Sequence, residues 1–163
     1  MEYRISEEDR HFMQMAIRLS VENVEKGGGP FGAVIVRSGK LVATGTNRVT
    51  SLLDPTAHAE VSAIRAACQK VNDFKLTGCV CYTSCEPCPM CLSALYWAGV
   101  DRIFYGNTRT DADSIGFGDD FIYAEIGKPL EERSLPIAQL MRDEAQSAFR
   151  LWEQKEDKIA YSI

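Results

Sequence analysis

The most informative segment of the sequence runs from a predicted strand into a predicted helix, and it reads Cys79-Val80-Cys81-Tyr82-Thr83-Ser84-Cys85-Glu86-Pro87-Cys88-Pro89-Met90-Cys91. Proline is favoured in the first turn of a helix, so the sequence predicts a helix that begins at Pro87 and ends near Ala98. Cys88 and Cys91 lie three residues apart and therefore project from one side of its first turn. The positive end of the helix dipole favours their thiolates, which are the form that binds zinc.

A second informative segment, His58-Ala59-Glu60, lies at the start of another predicted helix. If the two helix starts face each other, His58, Cys88 and Cys91 supply three corners of a tetrahedron. A catalytic zinc has three protein ligands and a water in the fourth position, and it lowers the pKa of that water to ~7. Glu60 is close enough to take the proton of the water without being a ligand. H-x-E followed by P-C-x-x-C is the motif of zinc-dependent nucleobase deaminases.

Two other interpretations of the cysteines stay open. Cys88 and Cys91 alone would form a redox dithiol, which needs neither His58 nor Glu60. With Cys85 added, they and His58 would form a closed structural zinc site, and the protein would then be a zinc-stabilised binding module. Cys85 precedes the helix, which makes a common centre geometrically awkward. The remaining three cysteines are expected to be reduced thiols in the core: Cys68, Cys79 and Cys81.

Composition favours an ordinary globular protein with a small-molecule partner. The chain has 163 residues, a length that fits one domain, and 25% of them are charged. Its longest apolar run, residues 31–36, is far shorter than the ~20 residues of a membrane span. The first residues are acidic and lack an apolar signal-like region, so we expect a cytoplasmic protein with no membrane segment. The net charge of −5 disfavours nucleic acid, because phosphates require Lys and Arg.

The pattern of apolar residues predicts strands that alternate with helices. We expect helices at residues 6–26, 57–70, 87–98, 121–126 and 143–160, strands at 31–37, 41–47, 79–83, 102–106 and 134–141, and loops at 48–56 and 107–118. Ser38-Gly39 is a hairpin turn signal between the first two strands. The order predicts an α/β fold in which a mixed sheet is covered by helices on both faces.

The chain resembles the cytidine deaminase-like superfamily and, within it, the bacterial-type guanine deaminases. Beyond the two zinc motifs, the similar segments are residues 28–36, Asn47, and residues 54–57, 95–98, 110–112, 116–123 and 128–133. The resemblance implies a three-layer α/β/α fold with a central five-stranded mixed sheet, formed by one zinc-dependent deaminase domain over residues 1–163. It also implies a homodimer in which the C-terminal segment, about residues 143–163, is exchanged between subunits.

The same resemblance implies an activity, the zinc-dependent hydrolysis of guanine to xanthine and ammonia. In such enzymes a zinc-bound hydroxide attacks C2 of the base. The implied zinc ligands are His58, Cys88 and Cys91, and Glu60 is the implied proton shuttle. Asp119 would be a second catalytic carboxylate. Because similar enzymes often read G-F-D-D where this chain inserts Gly118, the choice between Asp119 and Asp120 stays open.

A purine base is the implied partner, and the implied substrate-binding residues are Asn47, Phe31, Ala59, Trp97 and Tyr161. Asn47 offers an amide donor and acceptor to a purine edge, and Tyr161 would help to close the site after the exchange of segments. From the residues alone, Asn47 suits a strand end equally well and Asp119 suits a helix N-cap.

Two other substrates remain as alternatives. A tRNA adenosine deaminase has the same zinc core but must hold an RNA loop and take the base out of its stack. From Lys128 onward the chain carries six Lys or Arg and seven Asp or Glu, which is not a basic arm. A related amino-heterocycle, such as an aminotriazine, is the third candidate.

Overall fold

The computed structural model describes residues 4–163, which divide into two compact units. The first unit comprises residues 4–119 together with Ile163, and the second comprises residues 120–162. Residues 1–3, the beginning of the acidic N-terminal stretch, lie outside the described residues. None of the helices in the described part of the chain has the combination of length and apolar character that a bilayer span requires.

The first unit alternates strands and helices much as the sequence predicts. Its elements are α1 (Glu7–Glu25), β1 (Gly32–Arg37), β2 (Lys40–Thr46), α2 (Val49–Leu52), α3 (Ala59–Val71), β3 (Cys79–Cys85), α4 (Pro89–Ala98), β4 (Arg102–Asn107) and α5 (Arg109–Ser114). The second unit contains α6 (Asp120–Ile126), a 3₁₀ turn (Leu130–Glu132) and α7 (Arg142–Gln154).

The sheet of the first unit has the strand order β2-β1-β3-β4. β1 pairs antiparallel with both β2 and β3, and β3 pairs parallel with β4. Ser38 and Gly39 have positive φ values of 50° and 71°, as the two central residues of a tight hairpin require. The predicted hairpin and the predicted mixed sheet are therefore confirmed.

Helices cover both faces of this sheet because alternate strand residues point to opposite sides. Val34 and Val36 of β1 pack with Phe12 of α1, whereas Ala33 and Ile35 belong to the core that faces α3 and α4. The apolar residues of this second core include Ala63, Ala67, Leu76, Cys79, Cys81 and Leu95. The first unit is thus a three-layer α/β/α structure. Cys79 and Cys81 are core thiols, as predicted, and Cys68 packs against them half-buried.

The prediction of a fifth strand at residues 134–141 is wrong, since the described chain forms a four-stranded sheet and no strand in this segment. Pro136 lies in the middle of the segment and has no backbone N–H to donate to a neighbouring strand. Leu135 and Leu140 are 80% and 83% exposed. The alternating apolar pattern is present, but no strand pairs with this segment in the described part of the chain.

Three smaller predictions are also wrong. The helix expected to begin at Pro87 begins at Pro89, because Cys88 is its N-cap and Pro89 is the proline of the first turn. Short helices α2 and α5 occupy segments that were expected to be loops. α5 begins after Thr108, whose hydroxyl accepts from the Asp111 backbone while the Asp111 carboxylate accepts from the Thr108 backbone. The last helix ends at Gln154 instead of residue 160, so the chain beyond it is not helical.

Candidate active site

The predicted zinc ligands come together at the starts of two helices in the first unit. His58 is the N-cap of α3, and Cys88 is the N-cap of α4. Nδ1 of His58 lies 3.5 Å from Sγ of Cys88 and 3.5 Å from Sγ of Cys91. Within residues 4–163, these three side chains form the group of His, Cys, Asp and Glu that could hold a metal ion, with all ligand atoms within 4.8 Å of one another.

The separation of these atoms fits a tetrahedral zinc ion. Bond lengths of ~2.0–2.1 Å to nitrogen and ~2.3 Å to sulfur, at a tetrahedral angle, put the two ligand atoms about 3.6 Å apart. Both N–S distances match this value. Cys85 is not part of the group, because its buried thiol donates to the carbonyl oxygen of Thr108 at 3.8 Å. The group therefore has three protein ligands, as in a catalytic zinc site, and not the four of a closed structural site.

The electrostatics of the group favour a bound cation. The hydrogen bond from the Cys91 thiol lowers the pKa of Cys88 well below its usual range, against the opposing effect of burial, and His58 lowers it further. The same bond raises the pKa of Cys91. The hydrogen bond with Cys88 also raises the pKa of His58. Cys88 is thus the first thiol of the pair to ionise, and a thiolate is the form that binds zinc.

Glu60 lies in the first turn of α3, beside the ligand group, and is only 6% exposed. Its Oε1 accepts a hydrogen bond of 2.9 Å from the hydroxyl of Thr83, which is also buried. Burial raises the pKa of Glu60, while hydrogen bonds from its own backbone, Thr83 and Cys91 oppose the increase. A carboxylate that holds a proton more tightly than an exposed glutamate is suited to taking and returning a proton.

Thr83 is a site residue that the sequence analysis did not single out. It lies in β3 two residues after Cys81, so both side chains point to the face of the sheet that α3 covers. A hydroxyl at this inward position of a buried strand needs a partner, and Glu60 supplies it. The signal that could have identified Thr83 was a polar residue at a strand position that points into the core.

Three of the predicted substrate-binding residues lie around the ends of β1, β2 and the start of α3. Asn47 follows β2 and is 8% exposed; its N–H donates to the carbonyl oxygen of Phe31 at 3.2 Å. The ring of Phe31, just before β1, meets the ring of Phe117 edge to face, with centroids 5.0 Å apart. Ala59 is the fully buried first residue of α3. Because Ala33 of β1 pairs with Thr83, this end of β1 lies at the end of β3 that leads to the metal ligands.

Asp119 and Asp120 have different surroundings. Asp119 ends the first unit, is partly buried, and has its Oδ1 shielded from solvent. Burial raises the pKa of Cys85 to about 11, and the charges of Glu60 and Asp119 add to this effect, so Asp119 lies within electrostatic range of the segment before α4. Asp120 is the exposed first residue of α6 in the second unit.

The structure does not bring Trp97 to the metal ligands of its own chain. Trp97 lies in the last turn of α4, half-exposed, nine residues after Cys88 and therefore roughly 13 Å further along the helix axis. Tyr161 belongs to the second unit and is 66% exposed. The substrate-binding roles of these two residues stay predictions.

Comparison with known proteins agrees with this geometry. Residues 6–107 match the cytidine and deoxycytidylate deaminase zinc-binding region. The guanine deaminase of Bacillus subtilis is 51% identical over 151 residues, which cover 92% of this chain and 97% of that enzyme. An X-ray structure of guanine deaminase from Bacillus subtilis matches with a TM-score of 0.92 and 48% identity, covering 97% of this chain and 100% of that one. A tRNA-specific adenosine deaminase of Aquifex aeolicus is 40% identical over 95 residues, 58% of this chain and 63% of that enzyme.

The matched region contains both helix starts that carry the ligand atoms and every strand of the sheet between them. The order of the ligands along the chain, their separation in space and the buried glutamate beside them thus agree with the sequence match. The chain therefore belongs to the family of cytidine and deoxycytidylate deaminases, whose zinc-binding region it carries.

Proposed function

We propose that this protein is a zinc-dependent guanine deaminase that hydrolyses guanine to xanthine and ammonia. The observation that carries the proposal is the extent of the likeness to the guanine deaminase of Bacillus subtilis, which spans nearly the whole of both chains. The tRNA-specific adenosine deaminases match less well, with 40% identity over 58% of this chain for the enzyme of Aquifex aeolicus and 31% identity over 85% for that of Buchnera aphidicola. A shared zinc region alone would not separate the two activities, whereas 51% identity along almost the entire length favours guanine.

The reaction replaces the amino group on C2 of guanine with an oxygen from water. His58, Cys88 and Cys91 would hold the zinc ion. When bound, zinc would act as a Lewis acid that lowers the pKa of water. As the water oxygen bonds to C2, both of its protons leave it, one for N3 of the ring and one for the amino nitrogen. The C2–N bond then breaks and ammonia departs. A carboxylate oxygen of Glu60 is the group placed to carry these protons.

We assign recognition of the base to the remaining predicted site residues. Guanine presents N1–H and its amino group as donors, and the Asp119 carboxylate can accept from that edge. The Asn47 amide supplies a donor and an acceptor for the rest of the purine. Phe31, held against Phe117, offers an apolar ring, and Ala59 adds the backbone of the first turn of α3. These roles are part of the proposal.

A homodimer with an exchanged C-terminal segment, about residues 143–163, is also part of the proposal. α7 has no buried residue, and three of its large apolar side chains, Phe149, Leu151 and Trp152, are 67%, 69% and 43% exposed. Exposed apolar surface of this kind marks an interaction site. We propose that α7 is buried against a second subunit and that Tyr161, beyond the end of α7, closes the partner's site. We further propose that residues 1–163 act as a single functional domain. Cytoplasmic location stays a prediction.

The direct test is the release of ammonia by the purified protein from guanine, adenine, cytosine, their nucleosides, an aminotriazine and tRNA. We expect guanine to be the substrate. The matched control is Glu60→Gln, which has the same shape but cannot take the proton of the water; we expect one zinc per chain and turnover lower by ~10²–10⁴. Preferential release from tRNA, or from an aminotriazine, would contradict the proposal.

A further inference from the structure

We propose that Asn23 is a positioning residue for Asn47, and that glycines 28 and 29 make room for the contact. The inference rests on the proposed function, since it takes Asn47 as a residue that contacts the purine. Asn23 lies near the end of α1. Its Nδ2 donates two hydrogen bonds, one to the carbonyl oxygen of Gly29 at 2.7 Å and one to the carbonyl oxygen of Asn47 at 2.9 Å. A side-chain amide nitrogen has two hydrogens, so both are used.

The backbone of Asn47 is thereby held at both of its polar groups. Its carbonyl oxygen accepts from Asn23, and its N–H donates to the carbonyl oxygen of Phe31. Its side-chain Oδ1 accepts from the N–H of Val49 at 3.3 Å, which orients the amide without filling the second lone pair of the oxygen. Asn23 thus ties the end of α1 to the residue at the end of β2 that meets the base.

The three consecutive glycines, residues 27–29, have different structural roles. Gly27 has a φ of +83° just after α1, and a Cβ there would meet nothing within 4 Å. A Cβ on Gly28 would lie 2.4 Å from Nδ2 of Asn23 and would displace it from its two acceptors. A Cβ on Gly29 would lie 3.1 Å from Oδ1 of Asn47 and would press on the amide itself. At positions 28 and 29 the constraint is therefore space and not a positive φ, because a Cβ there would make the side chain of Asn23 or Asn47 shift.

The consequence is specific to substrate binding. Hydrogen bonds weaken steeply when their angles become poor, so a displaced Asn47 amide loses affinity for the planar edge of a purine. Glu60 and the metal ligands lie on α3, α4 and the segments before them, which Asn23 does not contact through these bonds. Loss of Asn23 therefore affects KM more than kcat.

The first experiment compares steady-state kinetics of Asn23→Ala and wild-type enzyme with guanine. We expect KM to rise about tenfold, with kcat within about threefold and one zinc per chain. The matched control is Ser20→Ala, one turn earlier in α1. The buried hydroxyl of Ser20 donates to the carbonyl oxygen of Ile17 in the same helix at 2.7 Å and has no link to Asn47. We expect this control to keep the wild-type KM.

A double-mutant cycle shows whether Asn23 acts through Asn47. In an Asn47→Ala background, Asn23→Ala should raise KM no further, whereas an independent effect would add to the first and overturn the proposal. Gly29→Ala is the variant to use if Asn23→Ala does not fold, because it leaves Asn23 in place. It should raise KM by the same route.

The outcomes separate this inference from the proposed function. A wild-type protein that releases no ammonia from guanine rejects the proposed function. Calorimetric binding of guanine to Glu60→Gln, with and without Asn23→Ala, then tests the positioning role alone, and weaker binding by about tenfold supports it. An absence of guanine binding rejects both. Unchanged KM in Asn23→Ala and Gly29→Ala, or a loss of kcat together with zinc, shows a structural role only and overturns the inference.

Discussion

Thr83 helps to orient the Glu60 carboxylate by donating one buried hydrogen bond to its Oε1. Replacing Thr83 with Val removes the donor and keeps the branched shape. We expect kcat for guanine to fall about tenfold, the size of one well-placed hydrogen bond, while zinc content is unchanged. Thr83→Ser restores the hydroxyl and should restore most of kcat. The measurement is steady-state kinetics with metal analysis of each variant.

The neighbouring residue provides a control for this prediction. Ser84 is equally buried, but its hydroxyl accepts from the backbone N–H of Gly32 at 3.0 Å and does not bind Glu60. Ser84→Ala should lower thermal stability and leave kcat near the wild-type value. Equal losses of kcat in Ser84→Ala and Thr83→Val would mean that Thr83 only supports the strand.

The metal ligands can be distinguished from the third cysteine of the motif by zinc analysis. Cys85→Ser should retain one zinc per chain, because the Cys85 thiol donates to Thr108 and lies outside the ligand group. Cys88→Ser should lose most of the metal, because it removes one of three ligands. Equal loss of zinc in both variants would return the site to the closed, four-ligand type.

Asp119 and Asp120 differ in burial, and their amide variants decide which one acts on guanine. Asp119→Asn places a donor where guanine also donates and removes a proton-transfer group. We therefore expect kcat/KM for guanine to fall by ~10²-fold or more in this variant. Asp120→Asn is the comparison, and because Asp120 is exposed at the start of α6 it should behave like the wild type. The reverse result would assign the role of the second carboxylate to Asp120 instead of Asp119.

At the scale of an element, α1 is fastened to the sheet through its first turn. Ser6 and Asp9 form a capping box, and the second oxygen of Asp9 accepts from the hydroxyl of Tyr82 in β3 at 2.7 Å. Asp9→Ala should lower the free energy of unfolding by about 1 kcal/mol near neutral pH, as loss of a helix cap does. Urea unfolding of both proteins measures the difference.

This contribution of Asp9 depends on pH with a definite sign. Partial burial raises the pKa of Asp9, but hydrogen bonds from Ser6 and Tyr82 outweigh it, so the pKa in the folded protein is lowered. The stabilisation is complete above the unfolded pKa of ~3.9 and is lost as pH falls through the lower folded value. The gap between wild type and Asp9→Ala should close in acid, with both proteins compared at each pH. A gap that stays constant would contradict the assignment.

Elements with clear local signals were predictable from the sequence, including the four strands of the sheet, whereas a weak local pattern without a pairing partner was misleading. α1 carries its cap at Ser6 and three acidic residues in its first turn, and the predicted helix coincides with the observed one to within a residue at each end. The segment 134–141 has the alternation of a strand, yet a strand exists only where another strand pairs with it. Pro87 and Pro89 flank the same cysteine, and local preference alone could not decide which of them opens α4.

At the scale of the whole molecule, the C-terminal residues test the exchange of segments. Deleting residues 159–163 should leave zinc content and folding largely intact, because these residues are exposed and outside any helix or strand. If Tyr161 closes a site as proposed, turnover of guanine should fall greatly, since water would no longer be excluded from that site. Ammonia release and metal analysis of the truncated chain measure both effects.

Mixing experiments identify which subunit supplies Tyr161. A Glu60→Gln chain has an intact tail, and a truncated chain has an intact Glu60. In a mixed dimer with exchanged tails, the tail of the Glu60→Gln chain completes the site of the truncated chain. Some activity should then return. No rescue in a confirmed mixed dimer would show a tail that closes its own subunit's site, and full activity of the truncated chain alone would refute the closing role.

The sequence predicted the metal ligands of the site, but it did not predict the residues that hold the site's other side chains in place. His58, Cys88 and Cys91 were recognisable because ligand types at helical spacing have few other uses, and the structure brings them together. Asn23 and Thr83 were not recognisable, because nothing nearby in sequence shows that an amide of α1 reaches the end of β2, or that a strand hydroxyl meets Glu60. Such contacts exist only in the folded chain.

The separation of the ligands along the chain determines how far apart in time the ribosome synthesises them. His58 precedes Cys91 by 33 residues, which a ribosome adds in roughly 2–7 s. The β1–β2 hairpin and α3 are synthesised before β3, the strand that pairs with β1 and leads to the two thiols of α4. The imidazole of His58 is therefore synthesised several seconds before the thiol of Cys91, and the three ligands of the site are together on the chain only once the first turn of α4 has been made.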